Sequence, residues 1–259
     1  IDTKDFGWSS TLNFNYNKNE IKKLGENDED ILTGPWFISG NLVILRKGES
    51  LGSFWGYKRE GIWGEDEAEE AKAAGAGVGQ PKRSKDREIL GKGLPDVTGS
   101  FINNFRYKNF DLTVDLQFVL GVDVYQQFLH STEDRFGIAN ALSSVLSEGW
   151  TPANTNTMIP ALYSQNSQPD SHWVANGSYL RANLIQLGYT FEPSVLKALH
   201  LGSLRAYFSV NNAFCITSKD FKGYDPEGTS QGTDQWGQNI MFFQYPKPRT
   251  YTLGVNVSF

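Results

Sequence analysis

The chain has 259 residues, a formal net charge of −5 and one cysteine, so a disulfide scaffold is excluded and a basic nucleic-acid-binding surface is not indicated. No apolar run reaches the roughly 18 residues of a membrane-spanning helix. The length allows one or two domains with a sizeable core.

The apolar content is aromatic rather than aliphatic: 17 Phe, 11 Tyr and 7 Trp stand in a chain of mean hydropathy −0.42. Diluted with Asn, Gly, Ser and Thr, this mixture suits β-strands and long polar loops. The opening Ile1-Asp2-Thr3-Lys4 lacks the basic and apolar regions of a signal peptide. The chain therefore reads as mature, cytoplasmic or the tail of a longer product.

Period-two alternation predicts the strands. Near the start, Phe6, Trp8, Leu12, Phe14 and Tyr16 alternate with Gly7, Ser9, Thr11, Asn13 and Asn15. Weaker strand candidates follow at 35–46 (Trp36, Phe37, Ile38, then Leu42 to Leu45) and 51–58, where apolar residues run on rather than alternate. A long polar stretch at 59–96 holds an acidic helix, Glu65 to Ala74, then a glycine run. That run lacks phosphate-loop spacing and follows no strand. Segment 97–107 alternates Val97, Gly99, Phe101, Phe105 and Tyr107 with Thr98, Ser100, Asn104 and Arg106. Lys108-Asn109 turns it into 110–120, where Phe110, Leu112, Val114, Leu116, Phe118 and Leu120 face away from Asp111, Thr113, Asp115 and Gln117. After a long polar stretch at 121–177, segment 178–191 ends on Ile185, Leu187, Tyr189 and Phe191. A connection with a small helical patch, Ser194 to Leu201, leads to 203–212. The last long stretch, 213–248, precedes 249–259, where Tyr251, Leu253, Val255, Val257 and Phe259 form one face.

Several of these segments have the length of a tilted transmembrane strand, about 9–11 residues, where globular strands run about 5–6. Aromatics near their ends fit an interfacial girdle, and short turns alternating with long loops fit an outer-membrane barrel. Open sheet edges cannot sit in lipid, so the strands require closure. The fold class predicted is all-β, a transmembrane antiparallel β-barrel with long extracellular loops.

The sequence carries no motif of covalent chemistry. His130, His172 and His200 lack metal-ligand spacing. Cys215 reads as a small half-buried residue, and Asp225 and Glu227 as turn residues of an exposed loop around Pro226. No catalytic, cofactor-binding or metal residue is predicted. Trp150, Tyr163, Trp173, Tyr224, Trp236, Phe242, Phe243 and Tyr245 fall outside the strong strands. Their rings either fold the loops together or stack on a sugar or a partner surface. Asp111, Asp115, Gln117 and Arg205 lie on polar strand faces that would line a wet lumen.

A series of motifs, in order along nearly the whole chain, resembles one family. They are Asn17-Lys18-Asn19; Gly52-Ser53-Phe54-Trp55-Gly56-Tyr57-Lys58 with Gly61-Ile62; Asp86-Arg87-Glu88-Ile89-Leu90-Gly91 before Leu94-Pro95; and Asn104 to Leu112. Trp150 to Asn154, Asp170-Ser171, Asn176 to Arg181, Leu187 to Thr190, Gly223 to Glu227, and Tyr245-Pro246 with Pro248-Arg249-Thr250 continue the series. Each motif is weak alone; together they resemble the C-terminal part of the SusC/RagA family, the TonB-dependent outer-membrane nutrient transporters of Bacteroidetes. The basic Gly79 to Lys85 stands where many family members carry an Asp/Asn/Gly-rich stretch, and it lacks a series of oxygen ligands, so no calcium-like site is carried over.

The resemblance implies the last third of a barrel of about 22 strands, with seven or eight of them here. The plug and the N-terminal strands would lie outside residues 1–259. It implies active import of a glycan or peptide, energy from TonB through the N-terminal part, a SusD-like surface lipoprotein as lid, and a C-terminus facing the periplasm. The other partners implied are membrane lipid and the barrel-assembly machinery, for which Phe259 resembles the terminal signal; neither enzymatic activity nor nucleic acid is implied. Trp150, Trp173, Tyr224, Asp225, Trp236, Asp111, Asp115 and Arg205 are the candidate contacts for substrate or lid. A passive porin-like barrel, a soluble glycan-binding β-sandwich and a structural partner in a larger outer-membrane assembly are the alternatives.

Overall fold

The computed structural model describes residues 1–34, 41–135, 137, 139–165, 168–227 and 238–259. In chain order the strands are β1 (Phe6–Tyr16), β2 (Ile31–Thr33), β3 (Val43–Leu45), β4 (Ser53–Ile62), β5 (Pro81–Lys92), β6 (Val97–Tyr107), β7 (Phe110–Leu120), β8 (Asp123–Gln126), β9 (Val174–Asn176), β10 (Tyr179–Thr190), β11 (Ser203–Thr217), β12 (Ile240–Met241) and β13 (Thr250–Ser258). Three short helices are α1 (Ala68–Ala73), α2 (Ser143–Glu148) and α3 (Pro193–Leu199).

Six long strands form one antiparallel wall in the order β1-β6-β7-β10-β11-β13. Its register sorts the side chains into rows. Trp8, Phe105, Leu112, Leu187, Phe208 and Leu253 are successive cross-strand partners. One residue along, the row reads Ser9, Asn104, Thr113, Gln186, Ser209 and Thr252. Successive residues of a strand point to opposite faces, so one face of the wall is apolar and the other hydrophilic. Among the described residues no second sheet lies beneath the apolar face: Leu12, Phe14 and Leu253 are 63%, 64% and 80% exposed. This excludes the β-sandwich, which would bury those side chains. Asn103 breaks the apolar pattern, and its neighbours cover it. The Trp8 indole donates to its Oδ1 at 3.1 Å while stacking on Phe105 at 6.1 Å between ring centres.

The wall's long connections, 17–96, 121–178 and 218–249, all leave from one end. The short ones, Lys108-Asn109 and 191–202, lie at the other. The long connections fold on one another and hold the hydrophobic core. Leu42, Val43, Phe54, Tyr125, Leu129, Trp173 and Ile240 make its main cluster. Two small sheets frame it, β2-β3-β4-β5 and β12-β8-β9.

Several boundaries need correction. The wall holds six strands rather than seven or eight. The candidates at 35–46 and 51–58 become β3 and β4 of the loop layer, with residues 35–40 outside the described part. The apolar run Val43–Leu45 reflects burial of β3 on both faces, whereas β4 is buried only in part. The stretch 59–96 contains the acidic helix as predicted, but also β5. That strand pairs with β4 across three register shifts and has no apolar period to announce it. Strand β11 runs on to Thr217 because a bulge absorbs Asn212, whose φ of 53° lies in the left-handed region.

Candidate functional site: the loop layer and the hydrophilic wall

The centre of the loop layer is ionic. Arg59, on β4, is fully buried between two carboxylates from the 121–178 connection. Its Nε and Nη2 donate to Asp170 Oδ2 at 3.0 and 2.7 Å. Its Nη1 donates to Asp134 Oδ1 at 3.1 Å and to the Met158 carbonyl at 2.8 Å. Arg83, on β5, adds a third N–H to Asp170 Oδ2 at 3.0 Å, and the Trp173 indole donates to Asp134 Oδ2 at 2.8 Å. Burial works against the charge of Arg59, but the two carboxylates outweigh it and raise its pKa above the ordinary value.

A second group shares the same segment. Glu133 meets His172 Nε2 at 3.1 Å and accepts from Lys222 Nζ at 2.7 and 3.1 Å. Burial alone would raise its pKa, yet His172 and Lys222 bring it below the usual carboxylate range. The two groups tie all three long connections together, since Arg59 and Arg83, the acids, and Lys222 come from different ones. Beside them His130 is buried edge-on against Trp173, and desolvation pushes its pKa down to about 4. His200 instead caps α3.

Lys222 also stands between two openings. On one side a cleft of about 520 Å³ is lined by Phe128, Leu142, Tyr224, Met241, Phe243 and Tyr245. Tyr224 and Tyr245 are 79% and 95% exposed. On the other side a pocket of about 450 Å³ is lined by Glu148, Asn154, Asn156, Thr157 and His172. The pair offers a ligand flat aromatic faces next to amide, hydroxyl and carboxylate groups, the combination that binds amphiphilic molecules.

The residues singled out in the sequence divide accordingly. Tyr224 lies on the aromatic cleft. Trp173 is fully buried, with Tyr125 and His130 against its ring. Trp150 is buried with Ile62 and Ala161. Both are corrections: these two rings build the loop core and have no face left for substrate or lid. Asp225 is corrected too, from an exposed turn to a buried acceptor. It receives Arg181 Nη2 at 2.6 Å, while Arg181 Nη1 donates to Asn212 at 2.8 Å, so the 218–249 connection is fastened to the wall at the β11 bulge. Trp236 lies outside the described residues. Asp111 and Arg205 meet on the hydrophilic face at 2.5 and 3.0 Å. They reach across Gly188, where a Cβ would sit 2.3 Å from Arg205 Nη2. Asp115 is half-buried between its cross-strand neighbours Ile102 and Leu184. Phe259 is fully exposed. Sequence reasoning missed Arg59, Asp134, Glu133 and Lys222, because nothing in their spacing announces a meeting across three loops.

No family model matches the chain. Curated proteins do, over its whole length. It is 32% identical to TonB-dependent receptor P3 of Formosa agariphila and 31% identical to TonB-dependent receptor SusC of Bacteroides thetaiotaomicron. It spans 27% and 25% of those proteins. Among solved structures, the RagAB peptide transporter superposes on the whole chain with a TM-score of 0.76 at 24% identity, using 28% of that transporter chain. A RagAB peptide importer in a closed-closed state gives 0.73 at 25% identity, again over the whole chain and 28% of the importer chain. Over its whole length the chain is thus similar in sequence to one stretch of TonB-dependent receptors of the SusC type, about a quarter of their length, and its wall has the fold of the matching stretch of the RagAB transporter.

Proposed function

We propose that the chain is the C-terminal part of a barrel that imports a glycan or peptide nutrient across the bacterial outer membrane, driven through TonB. The plug and the remaining strands come from other parts of the receptor. A SusD-like lipoprotein covers the long-loop end, and the short turns and the C-terminus face the periplasm. The relatives are named as receptors and transporters, none as an enzyme, which supports transport without covalent chemistry.

One observation carries this reading: an apolar face exposed along six strands, backed by a hydrophilic face, in a sheet whose outer strands β1 and β13 each have one side unpaired among the described residues. Such a sheet is unstable in water and open-edged in lipid; closure with further strands around a wet lumen satisfies both faces. Candidate ligand contacts are Tyr224 and the aromatic cleft at the long-loop end, with Asp111, Asp115 and Arg205 along the lumen.

The test is deletion of the gene for the full receptor, followed by growth and uptake on defined glycans and on peptides as sole nutrient. Loss of uptake of one class, restored by the gene and abolished again when TonB is removed, is the expected result. Uptake that persists without TonB would mark a passive pore, and loss of no nutrient would refute the import reading.

A further inference from the structure

Adjacent antiparallel strands need only a two-residue loop, and Lys108-Asn109 provides one between β6 and β7. Between β10 and β11 the register is just as tight, with Thr190 opposite Arg205, yet residues 191–202 are spent on the connection. They build α3, a helix with defined ends. Pro193 stands in its first turn, and Glu192 accepts from the Val195 and Leu196 N–H groups. His200 closes it in the left-handed conformation (φ 56°), and Leu201 N–H returns to the Leu196 carbonyl at 3.0 Å, the Schellman pattern. The connection is also pinned at both ends. Phe191 N–H donates to Leu204 O at 2.9 Å and Gly202 N–H to Ser258 O at 2.8 Å.

The helix is amphipathic. Val195 and Leu199, one turn apart, are 38% and 54% exposed, with Ala198 beside them; Lys197 lies on the other side, while Ser194, one turn before Ala198, borders the apolar side. An apolar pair held outward by a well-capped helix has no use in water. The strand end that feeds it carries an aromatic ladder. Phe110 and Tyr189 pack at 4.8 Å, and Tyr189 and Phe191 at 5.1 Å, in line with the apolar face of the wall. The helix follows that ladder after a single residue, Glu192.

We propose that α3 is an interfacial anchor, its Val195, Ala198 and Leu199 side seated at the headgroup–acyl boundary of the leaflet on the short-turn side. The continuity of the exposed apolar band with the aromatic ladder and then with the helix identifies the occupant as lipid. Buried apolar area provides the attraction at such a boundary, and Lys197 on the opposite side suits the headgroup layer. The device would fix the height of the β10–β11 hairpin in the bilayer. This inference rests on the membrane-barrel reading.

The experiment uses the full receptor with Cys215→Ser and any cysteines elsewhere replaced, reconstituted in phosphatidylethanolamine–phosphatidylglycerol vesicles. Spin labels are placed singly by Val195→Cys, Leu199→Cys, Lys197→Cys and, as a reference on the wall, Leu253→Cys. Collision with dissolved oxygen reports lipid, and collision with a water-soluble nickel chelate reports water. Labels at Val195 and Leu199 are expected to match Leu253, with high oxygen and low nickel accessibility, while Lys197 shows the reverse. Nickel access at Val195 and Leu199 equal to that at Lys197 would place the helix in water and overturn the proposal. Protection from both reagents would mean a covering protein and overturn it equally. Nickel access at Leu253 as well would refute the membrane reading itself, so the two failures are distinguishable.

Discussion

Removing the Arg59 guanidinium separates the loop layer from the wall energetically. Arg59→Met keeps much of the side-chain volume and deletes the charge, leaving Asp134 and Asp170 at near-zero exposure. Some compensation remains: Arg83 still reaches Asp170 and the Trp173 indole still reaches Asp134. Two of the three N–H donors to Asp170 Oδ2 are lost, however, and Asp134 loses its buried cation. Breaking a buried pair by removing one partner costs about 3–5 kcal/mol, a rise in local opening of roughly a hundredfold to several thousandfold. The wall does not share that cost, because its strand ladder does not involve Arg59. The assay is hydrogen exchange on the full receptor in detergent. Peptides covering 53–62, 123–135 and 170–176 should lose protection by at least a hundredfold while those covering β7 and β10 stay unchanged. Adding Asp134→Asn and Asp170→Asn to Arg59→Met should recover part of the loss, since neutral amides tolerate burial better than orphaned carboxylates. Unchanged exchange in the loops, or equal loss in loops and wall, would refute the claim that this ionic centre holds the layer as a separate unit.

Three further predictions follow from the same division. Val114→Arg, on the apolar face mid-strand, should cost about 2–4 kcal/mol and sharply reduce the folded fraction seen by heat-modifiable gel mobility; Thr113→Arg, one residue away, should be tolerated, and equal effects would contradict the assigned faces. Gly188→Val should part Asp111 from Arg205, because a Cβ there would lie 2.5 Å from Asp111 Oδ1; a lower melting temperature is expected, and Asp111→Asn should add little to it if the pair is already broken. Acid should loosen the loops: the His130 pKa is lowered from 6.5 to about 4, so between those values the opened state binds a proton that the closed state refuses. The His130 contribution therefore falls as pH drops through that window and levels off below it, where protonation of Glu133, held below the usual carboxylate range, continues the loss. Loop proteolysis measured against pH should show this slope, and His130→Phe should flatten it.

The wall was legible in the sequence and most of the loop layer was not, for one physical reason. Strands 6–16, 97–107 and 110–120 could be bounded to the residue because each meets two solvents, and the sequence must alternate to satisfy both. Asn103 went unread on the apolar face because its partner, Trp8, lies on another strand. The loop layer obeys the opposite rule. Its apolar residues point inward, and its specificity comes from charges distant in the chain, 75 residues between Arg59 and Asp134 and 111 between Arg59 and Asp170. Strand β5 shows the consequence: Lys82, Arg83, Lys85, Asp86 and Arg87 read as a polar loop, yet backbone pairing to β4 and the Arg83–Asp170 bond make them a strand. Trp150 and Trp173, which in isolation look like ligand platforms, are the core of that inward-facing layer. A mean hydropathy of −0.42 therefore averages two inverted arrangements, one with its apolar surface outside and one with it inside. The proposed membrane position accounts for both, with lipid solvating the wall and water the loops, and the Arg181–Asp225 bond beside the β11 bulge is a fastening where one arrangement gives way to the other.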